Sequence, residues 1–216
     1  GKHPLHQVIR INLTYNEWVI SGNFLTIYHV AKITPYLLLI RSKLSNRSMG
    51  KRAVLLANLG SPDNTDVSSV RRYLNQFLMD PYVIQLPWIL RRLIVGLFVL
   101  PFRPKNSAKA YQSVWTDRGS PLIALSMDLL ESLQQKVAMP VGMSMRYGKP
   151  SIESELLRLA NEPDVEEILF IPLYPHYAES TVTTSFKEAE NVISKHNLDI
   201  TLTVLSPFYN KPDYIQ

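Results

Sequence analysis

Residues 168–186 read ILFIPLYPHYAESTVTTSF, and this stretch decides the fold. Ile168 to Leu173 is an unbroken apolar run, the pattern of a strand buried on both faces of a parallel sheet. Pro172 within it has no N–H to give a ladder, which puts the strand's end near Leu173. A polar, aromatic loop follows, carrying Tyr174, Pro175, His176 and Tyr177. Ser180, Thr181, Thr183 and Thr184 then offer hydroxyls suited to capping a helix. Behind them Phe186, Ala189, Val192 and Ile193 share one helical face. In open α/β sheets, ligands bind at the carboxyl ends of strands. The plain alternative is a capped helix behind ordinary loop aromatics, and the stretch alone leaves both open.

Outward from this unit the pattern repeats. Lys51 to Asn58, KRAVLLAN, reads as a buried strand. Gly60, Ser61, Pro62 and Asp63 form a sharp turn, and Val67, Val70, Leu74, Phe77 and Leu78 mark a helix that Asp80-Pro81 ends. Residues 86–102, LPWILRRLIVGLFVLPF, are strongly apolar but too short after Arg92 to span a bilayer. They read as a greasy lip able to rest on a membrane surface, or as a core helix. Ser120-Pro121 starts a helix with Leu122, Leu125, Leu129, Leu133 and Val137 on one side. A strand over Val141–Met145 ends in Arg146-Tyr147-Gly148, and Ser151 caps a helix with Glu153 and Glu155 in its first turn. A last strand covers Ile200–Leu205. Four strands alternating with helices predict an α/β fold with a doubly wound parallel sheet. No GxGxxG or GxxxxGK[ST] is present, so dinucleotide and P-loop chemistry lack their usual fingerprints.

Charge divides the chain. Residues 1–50 hold six Lys/Arg against one acid, Glu17, whereas residues 51–216 hold seventeen of each. The balanced part carries no nucleic-acid footprint. The absence of cysteine excludes disulfides, thiolate metal sites and a cysteine-held iron–sulfur cluster. Residues 1–48 show no sustained period and read as a separate N-terminal extension, or as translated upstream sequence before Met49.

Five segments stand in order: NLGSPD (58–63), FLMDPYVI (77–84), PFRPKNSAKAYQSVWTDRGSPL (101–122), MRYGKPSI (145–152) and PLYPHYAEST (172–181). Together they resemble the bacterial-type ferrochelatases, which insert ferrous iron into protoporphyrin IX to make haem. The resemblance starts near Lys51 and excludes residues 1–48. It implies a chelatase-like, Rossmann-like three-layer fold, with residues 49–216 forming the first of two similar domains and the chain stopping before the second. It implies ferrous iron and the porphyrin as substrates, with no permanently bound cofactor. The family's metal-handling histidine lies in a Ser-x-His-Gly-x-Pro type motif that this sequence lacks, so no catalytic or metal-binding residue is expected here and the fragment alone is expected to be inactive. His196 reads as a solvent residue at a helix end.

By the same resemblance Arg103, Tyr111 and Ser120 are porphyrin contacts. Asn58, Leu59 and Ser61 should line the cleft floor, Arg146 and Tyr147 should face the cleft from a strand end, and Tyr174, His176 and Tyr177 should form its wall. The bland roles remain beside these: Arg103 a surface cation, Tyr111 helix packing, Ser120 only a cap. The family suggests a cytoplasmic protein with peripheral membrane contact through residues 88–102. A cobalt chelatase of another tetrapyrrole pathway and a non-catalytic porphyrin-binding module are the alternatives.

Overall fold

The computed structural model describes residues 52–174 and 176–205. The expectations placed on residues 1–48, and on Pro175, fall outside these. Four strands form one sheet: β1 (Arg52–Gly60), β2 (Val141–Tyr147), β3 (Glu167–Pro172) and β4 (Thr201–Val204). Their order is β2-β1-β3-β4 and every pairing is parallel. The earliest strand is therefore central. Its side chains alternate between two cores, as a period of two requires. Val54 and Leu56 pack with Leu129, Leu133, Met143 and Ile171 on one face. Ala53, Leu55 and Ala57 pack with Leu156, Leu159, Phe170 and Val192 on the other. Both faces are covered, which is why β1 and β3 read as continuous apolar runs.

Helices α1 (Val67–Leu78), α2 (Trp88–Leu93), α3 (Arg103–Val114), α4 (Pro121–Gln134), α5 (Ile152–Ala160) and α6 (Thr184–His196) complete the unit. Helix α4 covers one face of the sheet, and α5 with α6 covers the other. This is the doubly wound α/β architecture that the alternating pattern predicts. Helices α1 and α3 instead enclose an aromatic cluster with Tyr73, Tyr111 and Tyr147, placed beyond the end of β2. Tyr73 meets Tyr111 and Tyr147 edge-on, with centroids 6.2 and 6.5 Å apart, a favoured geometry for ring quadrupoles.

Pro172 is accommodated for the reason its chemistry suggests. Leu173 N donates to Ala57 O on the β1 side, so by alternation the N–H that Pro172 lacks would face β4, which has already ended at Val204. Gly60 closes β1 with φ +102, and a Cβ there would lie 1.7 Å from the Tyr147 carbonyl oxygen. Only glycine allows the two strand ends to sit this close.

The cap reading of 180–184 is corrected. A π-helical turn, Glu179–Thr183, precedes α6, and neither it nor α6 has a side-chain cap bond. Three of the four hydroxyls are committed elsewhere: Thr181 Oγ1 donates to Ala178 O, Thr183 Oγ1 pairs with Tyr177 Oη at 2.7 Å, and Thr184 Oγ1 donates to Asp80. Ser151 does cap α5, accepting from Ser154 N at 3.0 Å. His196 ends α6 exposed, as expected, and bonds Glu153 at 2.7 Å. A second π-helical stretch, Ile94–Val99, follows α2. Among the described residues no helix is long and apolar enough to cross a membrane.

Candidate functional site

The ends of β1, β2 and β3 deliver most of the expected site residues to one edge of the sheet. There they fall into separate groups. The first is a cavity of about 240 Å³ lined by Ser61, Pro62, Asp63, Trp115, Arg118, Ser120 and Lys149 among others. Thr116 and Gly119 exchange backbone bonds at 3.0 and 2.9 Å, and this tight turn presents Ser120 at the start of α4. Ser120 occupies the N-cap position, but its side chain makes no cap bond. The Ser61 hydroxyl is buried with no hydrogen-bond partner among the described residues. Two serine hydroxyls thus meet in one cavity beside a helix N-terminus, where backbone N–H groups favour an anion. Arg118 at its rim is held by a forked pair with Asp128, which raises the guanidinium's pKa and lowers the carboxyl's.

The second group is a cavity of about 400 Å³ lined by Leu78, Ile84, Phe98, Val99, Phe102, Arg103 and Asn106. Arg103 opens α3 and stands at a wall that is apolar apart from Asn106. Tyr111, two turns further along, does not join it. It is buried in the aromatic cluster against Tyr73 and Trp115, because eight residues rotate a helical position by about 80°. The lip outside this cavity is exposed: Trp88, Ile89, Leu97, Phe98 and Phe102 are each 60–72% accessible. The core-helix reading of 86–102 does not hold.

Within this lip two adjacent arginines differ. Arg91, expected on the outer surface, is buried, and its Nη1 donates to Ile84 O and Leu86 O at 3.1 and 2.9 Å. It clamps the lip's root. Arg92 is exposed and donates to Asn75 Oδ1 at 3.0 Å. Nothing in WILRRL distinguishes the two; only their helical phase does.

The third group is a polar cluster around Asp80. Arg146 Nη2 donates to Asp80 Oδ2 at 2.6 Å and Arg146 Nε to Thr184 Oγ1 at 2.8 Å. Tyr147 Oη donates to the same carboxylate oxygen at 2.9 Å, and Tyr82 N donates to Oδ1 at 2.7 Å. The Asp80 side chain is 1% accessible and that of Arg146 is 14%. Burial, then the neighbouring Asp80 charge, pushes the Tyr147 phenol far above its ordinary value. Tyr147 was expected to face a cleft; it is instead wholly buried, its hydroxyl spent on Asp80. Asn58 is likewise inaccessible. It donates to Ser126 Oγ at 3.0 Å and accepts from Leu59 N at 2.8 Å, so it braces the strand end from beneath. Leu59 is half-buried against the aromatic cluster. The sequence reading missed Asp80 and Thr184 because their partners are remote in the chain; the Asp-Pro pair reads only as a helix stop.

The loop after β3 splits. Tyr174 is buried, and burial pushes its phenol up, opposed by the Ser185 hydroxyl and the Arg146 charge. His176 and Tyr177 are exposed. Among the described residues no group of three or more His, Cys, Asp or Glu is placed to hold a metal ion.

The ferrochelatase profile matches residues 51–216. Three curated relatives, all named ferrochelatase, come from Ectopseudomonas mendocina, Stutzerimonas stutzeri and Pseudomonas fluorescens strain Pf-5. They are 53%, 51% and 52% identical to this chain over 168, 168 and 169 residues. The matches cover 77–78% of this chain and 49% of each relative. The chain thus spans about half the length of the curated relatives it matches. With a family match running along every described element, this chain belongs to the ferrochelatase family.

Proposed function

We propose that this polypeptide supplies the porphyrin-anchoring α/β unit of an enzyme that inserts ferrous iron into protoporphyrin IX. The observation that carries this reading is the 400 Å³ cavity in which Arg103 meets Phe98, Val99 and Phe102. A flat apolar macrocycle with carboxylate arms needs an apolar slot with a few polar anchors at its edge. Arg103 offers a planar fork for one propionate, and the Ser61–Ser120 cavity offers hydroxyls and a helix N-terminus for another carboxylate. Metal entry requires loss of two pyrrole protons and a bent macrocycle. Anchoring energy at the propionates holds that strain. No described residue of this chain is assigned the proton transfer.

A cobalt chelatase acting on a tetrapyrrole richer in carboxylates would need more cations; the larger cavity has a single guanidinium among its lining residues. The outer lip, with Trp88, Ile89 and Leu97 exposed beside Arg92, fits a lipid surface, since aromatic and basic groups favour the interface. Residues 49–216 act as one folding unit in this reading, at the cytoplasmic face of a membrane. The test is a chimera. Residues 51–216 replace the matched stretch of the Ectopseudomonas mendocina relative, and haem formation is followed by absorbance. Turnover within about tenfold of that relative supports the reading. A folded chimera that binds no protoporphyrin defeats it.

A further inference from the structure

Asp80 lies where three elements meet, and its carboxylate bonds no residue of α1. Its carboxylate takes Arg146 and Tyr147 from the end of β2, Thr184 from the start of α6, and the Tyr82 amide from the lip's own root. A second link joins the same two regions: Gln85 Nε2 donates to Glu179 Oε2 at 2.6 Å. The segment from Asp80 to Gln85 is thereby fastened to residues 179–184 at two points, one buried and one exposed. Arg91 closes the segment from the far side through the Ile84 and Leu86 carbonyls.

We propose that Asp80 is a positioning residue that ties the apolar lip to the β3–α6 wall, so that the two move as one side of the cleft. This rests on the porphyrin reading above. The physical reason is that a carboxyl group at 1% accessibility is costly to leave without its hydrogen-bond donors. Lip and wall cannot separate without stripping partners from a buried ion, whereas the exposed Gln85–Glu179 link is exchangeable with water. The arrangement also removes Arg146 from the set of propionate anchors. Its guanidinium is spent on Asp80 and Thr184, with its carbon 4.8 Å from the Tyr147 ring centroid. Of the two arginines expected at the cleft, the anchoring cation is then Arg103, at the start of α3.

The experiment uses the 216-residue chain and the variants Asp80→Asn and Thr184→Val. Thr184→Val keeps the Asp80–Arg146 pair and removes the wall hydroxyl that bonds both Asp80 and Arg146 Nε, so it remains informative if Asp80→Asn does not fold. Hydrogen exchange is read together with protoporphyrin affinity from fluorescence quenching. Thr184→Val should speed exchange over residues 82–99 and 179–184 at least tenfold, leave strand amides 53–57 and 168–171 protected, and weaken protoporphyrin about three- to tenfold. Arg146→Lys, tested beside it, should weaken the free acid and the esterified porphyrin alike, since it anchors no propionate. Exchange that rises throughout the strands would make the cluster a general core ion pair. Exchange that rises locally with affinity unchanged within twofold would show that the tether positions nothing, and either result overturns the proposal. If the unaltered chain binds no protoporphyrin, the functional reading fails, while the exchange pattern still decides the tether.

Discussion

Replacing Arg103 by leucine tests the propionate anchor most directly. The residue is half-buried at the start of α3, in a cavity whose other lining groups are apolar except Asn106. A guanidinium–carboxylate bond in such a place contributes roughly 1.5–3 kcal/mol. The cavity is open to solvent on one side, so the lower half of that range applies, and the loss in affinity is about ten- to thirtyfold. Leucine keeps most of the aliphatic contact with Phe98 and Phe102, which isolates the charge. Protoporphyrin IX and its dimethyl ester are titrated against both proteins by fluorescence quenching. The free acid should lose the full factor and the ester no more than about twofold, because esterification has already removed the anion. Arg92→Leu is the control, since Arg92 reaches only Asn75; Arg91 is unsuitable because it holds the lip's root. Equal losses for acid and ester would mean that Arg103 supports the wall's shape and pairs with no propionate.

Other outcomes follow from single features. Gly60→Ala should cost more than about 3 kcal/mol in denaturant unfolding, combining left-handed strain with a backbone clash that only parting of β1 and β2 relieves; a loss below 1 kcal/mol would contradict the close approach. Trp88→Ser with Leu97→Ser should shift stability by less than about 0.5 kcal/mol, as exposed sites do, yet abolish sedimentation with anionic vesicles. The Asp66 carboxyl is held well below the usual range by donors from Ser68 and Ser69. Its folded value is depressed, so its contribution is present above the unfolded carboxyl range near pH 4 and is lost as pH falls further; Asp66→Ala should lower the melting temperature at pH 7 and converge with the unaltered chain in acid. Trimming residues 1–48 should leave the melting temperature within a few degrees, and a larger drop would show that the extension packs on the domain.

The sheet was legible because β1 and β3 are buried on both faces, which leaves an unbroken apolar run as their mark. Helix starts were legible where a cap uses its own neighbour, as Ser151 does with Ser154. They misled where a hydroxyl is drawn off by a distant group, as with Thr184 and Asp80. Ser61 was placed in a turn and Ser120 at a helix start, and the structure adds that both line one cavity. The resemblance placed Tyr147 and Asn58 at a cleft. Their burial depends on Asp80 and Ser126, contacts that no local pattern encodes. Arg91 shows the same limit within six residues: charge reads as surface until the chain's own carbonyls are seen to receive it.

The central place of β1 has a consequence for how the chain is made. Its partners begin at Val141 on one side and Glu167 on the other, so the central strand leaves the ribosome before either partner and waits for both. Helix α1 can form at once, but α1 does not cover β1's faces; α4, α5 and α6 do. Until residue 147 has emerged, RAVLLANLG is an unpaired strand with both edges open, and one edge stays open until residue 172, which is the circumstance that favours mispairing between nascent chains. Synthesis that pauses before β3 should therefore yield aggregates rather than partly folded monomers, and holdase chaperones should be needed most over that interval.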